Sequence, residues 1–327
     1  MRQKKLHFRP ARDLAILFLL TLVIIAIALL TGTGTNIEQL LAGTNPISHT
    51  IIMEIRLPRV MAAMFAGASL ACAGVIMQVL LRNPLADPYI LGLSGGASLA
   101  VMLSMLAGAG IVGQQIAGSA GALISTLLVF VLARGAGAWT PTRLILTGIV
   151  VASGWGAFIS LTLSLTPEQN LRSMLFWMMG DLAQAKLSIT AIVLGISSLF
   201  ITWLLSIKLN VLSQGFLMAQ SLGENVRKLE YSLFFLAAIL TGISVVTVGS
   251  IGFVGLVVPH FMRMLMGYDH RWLTPASALA GGCFLTLCDT LARTIAEPIQ
   301  LPTGVMTALI GVPIFLWILN RNRAYGQ

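Results

Sequence analysis

The chain has 327 residues, 57% of them hydrophobic and 9% charged, with a mean hydropathy of +0.91. So little polar surface excludes a water-soluble globule of this size, and in lipid every backbone donor and acceptor must be satisfied internally, which leaves helices or closed barrels. The net charge of +9 does not point to nucleic acid, because the basic residues stand at the ends of long apolar runs, and runs that do not alternate select helices.

Residues 1–13 form a basic tail, expected to be cytoplasmic. The uncharged run at 14–31 approaches the roughly 20 residues that a ~30 Å hydrocarbon core requires. It exceeds a signal-peptide core of about 7 to 15 residues and is followed by no convincing small-residue cleavage site, so it is expected to be the first span. Further spans are expected at 60–81, 90–107, 116–134, 143–165, 188–206, 230–249, 252–266, 272–294 and 304–319. The second has an alternative start near Ile51, with Pro58 in its first turns, and the eighth is short. Ala62, Ala66, Gly67, Ala71 and Gly74, and later Gly249, Gly252 and Gly255, place small residues where membrane helices approach closely. Cys72, Cys283 and Cys288 lie inside apolar runs with no C-x-x-C partner and read as small buried hydrophobes.

An even number of spans puts both termini on one side, and the positive-inside rule chooses that side. With a cytoplasmic N-terminus, 15 of the 20 Lys and Arg residues fall inside, and only Arg56, Arg59, Arg172, Lys186 and Arg293 fall outside. Those five run against the trend.

The motifs that carry chemistry are mostly missing. Gly108 to Gly113 matches G-x-G-x-x-G, but it joins two membrane spans instead of opening a helix after a strand. No Gly-Lys pair exists, so there is no P-loop, and ATP-driven work requires a partner. The four histidines, His7, His49, His260 and His270, have no metal-site spacing, and no nucleophile, base and orienter can be assembled. Among acidic residues only Asp289 falls well inside a span, four residues before Arg293, where an i,i+4 ion pair is available. An ion-coupled carrier would need Asp289 to take up and release protons during transport.

Five separated segments are the most informative. They are Arg82–Gly92 (RNPLADPYILG), Ile55–Arg59 (IRLPR), Leu171–Asp181 (LRSMLFWMMGD), Gly249–Arg263 (GSIGFVGLVVPHFMR) and Leu301–Pro313 (LPTGVMTALIGVP). In them, and from about residue 14 to 320, the chain resembles the FecCD family of ABC-importer permeases. The resemblance implies an all-α, polytopic permease of about ten transmembrane helices with the type II ABC importer fold, one permease domain over 1–327, in the bacterial inner membrane with both termini cytoplasmic. It also implies pairing with a second copy or a paralogue, two cytoplasmic ATPase subunits that bind ATP and Mg, and a periplasmic substrate-binding protein. No cofactor is expected in this chain itself, and the cargo expected is a metal chelate, an iron complex such as a ferric siderophore or haem first and cobalamin second.

Carried over by position, the family's cytoplasmic gate falls at Asn83, Leu85, Pro141 and Thr142, where Pro141 replaces the small hydroxyl residue expected. The ATPase-coupling loop falls at 211–228, with Leu217, Met218, Ala219, Leu222, Gly223 and Glu224 at its centre, Gly223 being expected to permit close backbone approach. An ordinary amphipathic connector at the membrane surface is the alternative for that loop. Arg56, Arg59 and Arg293 would receive acidic side chains of the binding protein, since the guanidinium fork holds a carboxylate through two parallel bonds. The alternative is that all three snorkel to lipid phosphates.

Overall fold

The structure is a computed structural model that describes residues 10–32, 49–134, 140–183 and 185–323, and among these there is no β-strand. Most of the basic tail, with Arg2, Lys4, Lys5, His7 and Arg9, lies outside the described residues. The helices are α1 (Pro10–Leu30), α2 (Leu57–Leu80), α3 (Leu93–Leu106), α4 (Ile111–Arg134), α5 (Pro141–Leu165) and α6 (Glu168–Met178). They continue as α7 (Ile189–Leu204), α8 (Ser206–Ser213), α9 (Phe216–Ser221), α10 (Val226–Val248), α11 (Val254–Met266), α12 (His270–Thr294) and α13 (Thr303–Arg323).

Each of the ten expected runs is helical. Among the described residues six helices are long and apolar enough to cross a bilayer, α7 and α8 form a seventh segment bent by 55°, and α3, α11 and α13 are shorter apolar helices. The helical run of the second span already includes Ile51, the earlier of its two expected starts. Residues Ile51–Arg56 form a π-helical turn that runs directly into α2, with Pro58 in the first turn of α2, where its missing N–H costs little. Two elements were not expected as helices: α6, which is amphipathic and short, and the α8–α9 pair within and before the coupling loop.

α2 is the central element, buried along nearly its whole length by α12, α10 and α11. The small-residue spacing explains how. A Cβ on Gly67 would stand 2.2 Å from Gly281 O, and one on Gly74 would stand 1.9 Å from Gly255 O, so at both crossings backbone meets backbone. Ala62, Ala66 and Ala71 fill the same seam, and the three cysteines are buried and free. Without a hydrophobic driving force between helices in lipid, this close packing is what holds them together.

Between α10 and α11 the backbone leaves the helix at Gly249 and re-enters at Phe253, with φ +78 and +70. Such irregular backbone survives in a membrane protein only where it is buried in protein or lines a water-filled cavity. Here Ile251 N donates to Tyr89 Oη at 3.0 Å, and Gly249 lies against Trp177 O, where a Cβ would come to 2.3 Å. The segment that carries Tyr89 is a 3-10 turn, Pro88–Leu91, capped by Asp87 Oδ1 accepting from Tyr89 N at 2.8 Å.

Candidate functional site

Ser244 Oγ of α10 donates to Ala66 O of α2, and Glu230 near the start of α10 lies close to Arg82 just past the end of α2, so the two helices run antiparallel and the bundle has two definable ends. One holds Arg59 and the C-termini of α1, α10 and α12; the other holds Asp269 and the α8–α9 segment.

At the Arg59 end the three expected docking arginines converge. Arg59 binds Asp289 through both its Nε and its Nη2, the latter at 2.8 Å, and its Nη1 donates to Gln300 Oε1 at 3.0 Å. Arg293 Nε stands 3.3 Å from Asp289 Oδ2, the i,i+4 pair expected from spacing. Thr303 Oγ1 donates to Asp289 Oδ1 at 3.1 Å. The side chains of Arg59, Arg293 and Asp289 are 7%, 9% and 1% exposed. Arg56, also buried, donates to Leu29 O at 2.8 Å, and Arg293 Nη2 donates to Ala28 O at 3.0 Å. Ala28 and Leu29 belong to the last turn of α1, whose carbonyls have no partner within the helix, so two guanidiniums act as its C-cap. One carboxylate thus ties α1, α2, α12 and the start of α13 together. The Arg59–Asp289 pairing was invisible in the sequence, because 230 positions separate the partners.

At the opposite end, Asp269 caps α12: its Oδ1 accepts from Arg271 N at 3.0 Å, and its Oδ2 pairs with Arg271 Nη2 at 2.7 Å. Asn210 of α8 reaches across to it, donating from Nδ2 to Asp269 Oδ1 at 2.8 Å while its Oδ1 accepts from His270 N at 2.8 Å. His270 Nδ1 lies 2.7 Å from the same oxygen, which places the ring proton on Nδ1. The Arg271 hydrogen bonds hold the Asp269 carboxyl well below the usual carboxylate range. Asn210 was not singled out in the sequence. Nothing about its position distinguishes it from other polar residues near a span end.

The residues expected to form the coupling loop stand beside this cluster. Leu217, Met218 and Leu222 project from the fold, 79%, 51% and 59% exposed, while Ala219 is fully buried beneath them. Glu224 pairs with Lys208 at 3.0 Å. Gly223 has φ +82, and a Cβ there would meet nothing within 4 Å, so within this chain its lack of a side chain serves a left-handed backbone turn. The segments expected to form the gate lie at the same end. Asn83 Oδ1 accepts from Leu85 N at 2.9 Å, bracing the turn, and Leu85 is exposed. Thr140 caps α5 at Arg143 N, Pro141 occupies the first helical position and Thr142 is exposed. The turn that follows Leu85 packs Gly92 against Gly148 and Ala152, two turns into α5.

The remaining two residues assigned to the outer side, Arg172 and Lys186, line a cavity of about 480 Å³ between the α3–α4 turn, α6 and the last turn of α10. All five therefore stand at the Arg59 end. Among the described residues no group of three or more His, Cys, Asp or Glu is placed to hold a metal.

Comparison with known proteins accounts for nearly the whole chain. The model of the FecCD transport family matches residues 14–321. The chain is 41% identical over 288 residues to the hemin transport system permease protein HmuU of Yersinia pestis, covering 86% of each chain. It is 36% identical over 315 residues to the vitamin B12 import system permease protein BtuC of Vibrio vulnificus, covering 94% of each. A solved structure described as an inward-facing conformation of a metal-chelate type ABC transporter superposes with a TM-score of 0.86 at 30% identity, covering 95% of this chain and 99% of that one.

Proposed function

The chain belongs to the FecCD transport family, and from that premise we propose that it is the permease subunit of a binding-protein-dependent ABC importer for a metal chelate. The observation that carries this reading is similarity along the whole length, in sequence and in fold, to permeases of one transport class. Its relatives are named for hemin and for vitamin B12, two bulky metal chelates, and we take an iron chelate such as haem as the first cargo to test and cobalamin as the second. The chain supplies the path and two ATPase partners supply the hydrolysis, in keeping with a sequence that has no P-loop.

In this reading the chain sits in a bacterial inner membrane with the Asp269 end and both termini in the cytoplasm. The exposed Leu217, Met218 and Leu222 form an apolar edge for the ATPase, Asn83, Leu85, Pro141 and Thr142 close the path at that end, and a second permease copy completes it. The Arg59 end receives the binding protein. The buried geometry alters how Arg56, Arg59 and Arg293 do this, since Arg59 and Arg293 already share Asp289. Three guanidiniums against Asp289 and Glu297, the latter acting on Arg56, leave a surplus of one positive charge among these groups, and that field, more than a free fork, is what acidic side chains of the partner meet. Both Asp289 oxygens are occupied by arginine and threonine donors, which removes the main support for a self-powered, proton-coupled carrier.

The test is co-purification of the chain with its ATPase subunits. Leu217→Asp with Leu222→Asp should reduce the bound ATPase by roughly tenfold while the permease stays inserted, as expected when interface anchors worth about 1–2 kcal/mol are lost. Unchanged ATPase binding and unchanged stimulation by loaded binding protein would remove this loop from the coupling role.

A further inference from the structure

Arg172 and Lys186 run against the positive-inside trend without joining the Asp289 cluster, so they need a separate reason to stand at the Arg59 end. Free snorkelling would leave them on a flat surface. Instead they line a cavity whose wall includes Phe176, Trp177, Gln115 and Asp181. Arg172 lies over the Phe176 ring at 5.6 Å, and Gln115 Nε2 donates to Lys186 O at 3.0 Å, fixing the Lys186 backbone to α4. A second, mostly apolar cavity shares Ile111, Gln115 and Lys186 with the first and opens towards Val112 and Ser188. Val112 is 69% exposed, and Ile189, beside Ser188, is 81% exposed, so this groove leads onto an outward-facing apolar surface of α4 and α7.

A polar, cationic chamber adjoining an apolar groove has the shape of an amphiphile. We propose that the two cavities form one site for a glycerophospholipid, its phosphodiester held by Arg172 and Lys186 and one acyl chain laid along Val112 and Ile189. Two cations and the Asp181 carboxylate give the chamber a net charge of +1, which a single phosphodiester neutralises. Lipids with no other headgroup charge, such as phosphatidylglycerol, are therefore preferred to phosphatidylcholine, whose choline brings a further positive charge. Asp181 opposes the phosphate. Its Oδ1 accepts from Ala183 N at 2.7 Å, a bond that an asparagine retains.

The experiment is native mass spectrometry of the detergent-purified transporter complex titrated with phosphatidylglycerol, phosphatidylcholine or glycerol 3-phosphate, the last being the headgroup without acyl chains. The parent should retain phosphatidylglycerol over phosphatidylcholine. Arg172→Gln with Lys186→Gln should lower phosphatidylglycerol retention by roughly tenfold, the loss expected from charge-assisted hydrogen bonds, with melting of the lipid-stripped protein unchanged. Asp181→Asn should raise retention, and this arm stands even where the double variant does not fold. Retention unaffected by the double variant, or unchanged or lowered by Asp181→Asn, overturns the proposal. Glycerol 3-phosphate competing as well as the lipid also overturns it, because the site would then take a soluble anion and the groove would contribute nothing.

Discussion

α12 carries an aspartate–arginine pair at each end, and the two pairs differ in almost everything but their chemistry. Asp289 is 1% exposed and shared between two buried arginines from different helices, whereas Asp269 is 32% exposed and its partner Arg271 is 61% exposed and two residues away. A buried ion is costly to leave unpaired, so the first pair locks four segments into one arrangement. An exposed pair is screened by water and adds little, so the second matters through the cap and through Asn210, not through its charge. The comparison separates a region built to stay fixed from one whose contacts are cheap to rearrange, and the cheap end is the one that adjoins the segment proposed to couple to the ATPase.

The largest effect is expected from Asp289→Ala. It strands two buried guanidiniums and should cost about 3–5 kcal/mol, read as a lowered melting temperature and yield in detergent. Arg59→Met combined with Asp289→Leu should lose less than Asp289→Leu alone, because one of the stranded charges is gone. If the double variant instead loses the sum of its parts, the carboxylate is not what holds Arg59.

Asn210→Ala should come next. It removes the acceptor of His270 N and one donor to Asp269, a loss of about 1–3 kcal/mol, and protease cleavage between residues 206 and 226 should become faster. Resistance equal to the parent would mean that α8 is held by packing alone. Asp269→Ala, which removes an N-cap, should cost about 1 kcal/mol. Its pH dependence has a definite sign. The folded-state carboxyl is depressed below its unfolded value by Arg271, so its contribution is complete above about pH 4 and is lost as the pH falls further, where parent and variant converge. Arg271→Gln is the smallest change and should lower the melting temperature only slightly, since its side chain is mostly in water and the pair is screened.

Much of this was legible in the sequence, and the part that was not has a physical cause. Hydropathy marks the spans because lipid requires it, and Pro58 after Ile51 marks the early start of the second. The Asp289–Arg293 pair follows from helical spacing alone. Arg59 could not be joined to Asp289, nor Arg56 to Leu29 O, by any local rule, and so these two read as free forks although both are already engaged. α6 escaped because a short amphipathic helix at a membrane surface lacks the long apolar run on which span prediction depends. Gly223 was expected to yield space to a partner backbone, and its positive φ gives it a reason within this chain that no composition rule distinguishes from the first.

The most direct test of the central claim is uptake into sealed vesicles that contain the chain, its ATPase subunits and internal ATP, with hemin- or cobalamin-loaded binding protein outside. The account predicts accumulation of one of these chelates only when ATP, the ATPase and the binding protein are all present, and no accumulation driven by a proton gradient. Accumulation driven by a proton gradient without ATP, and unchanged when the ATPase is left out, would contradict it.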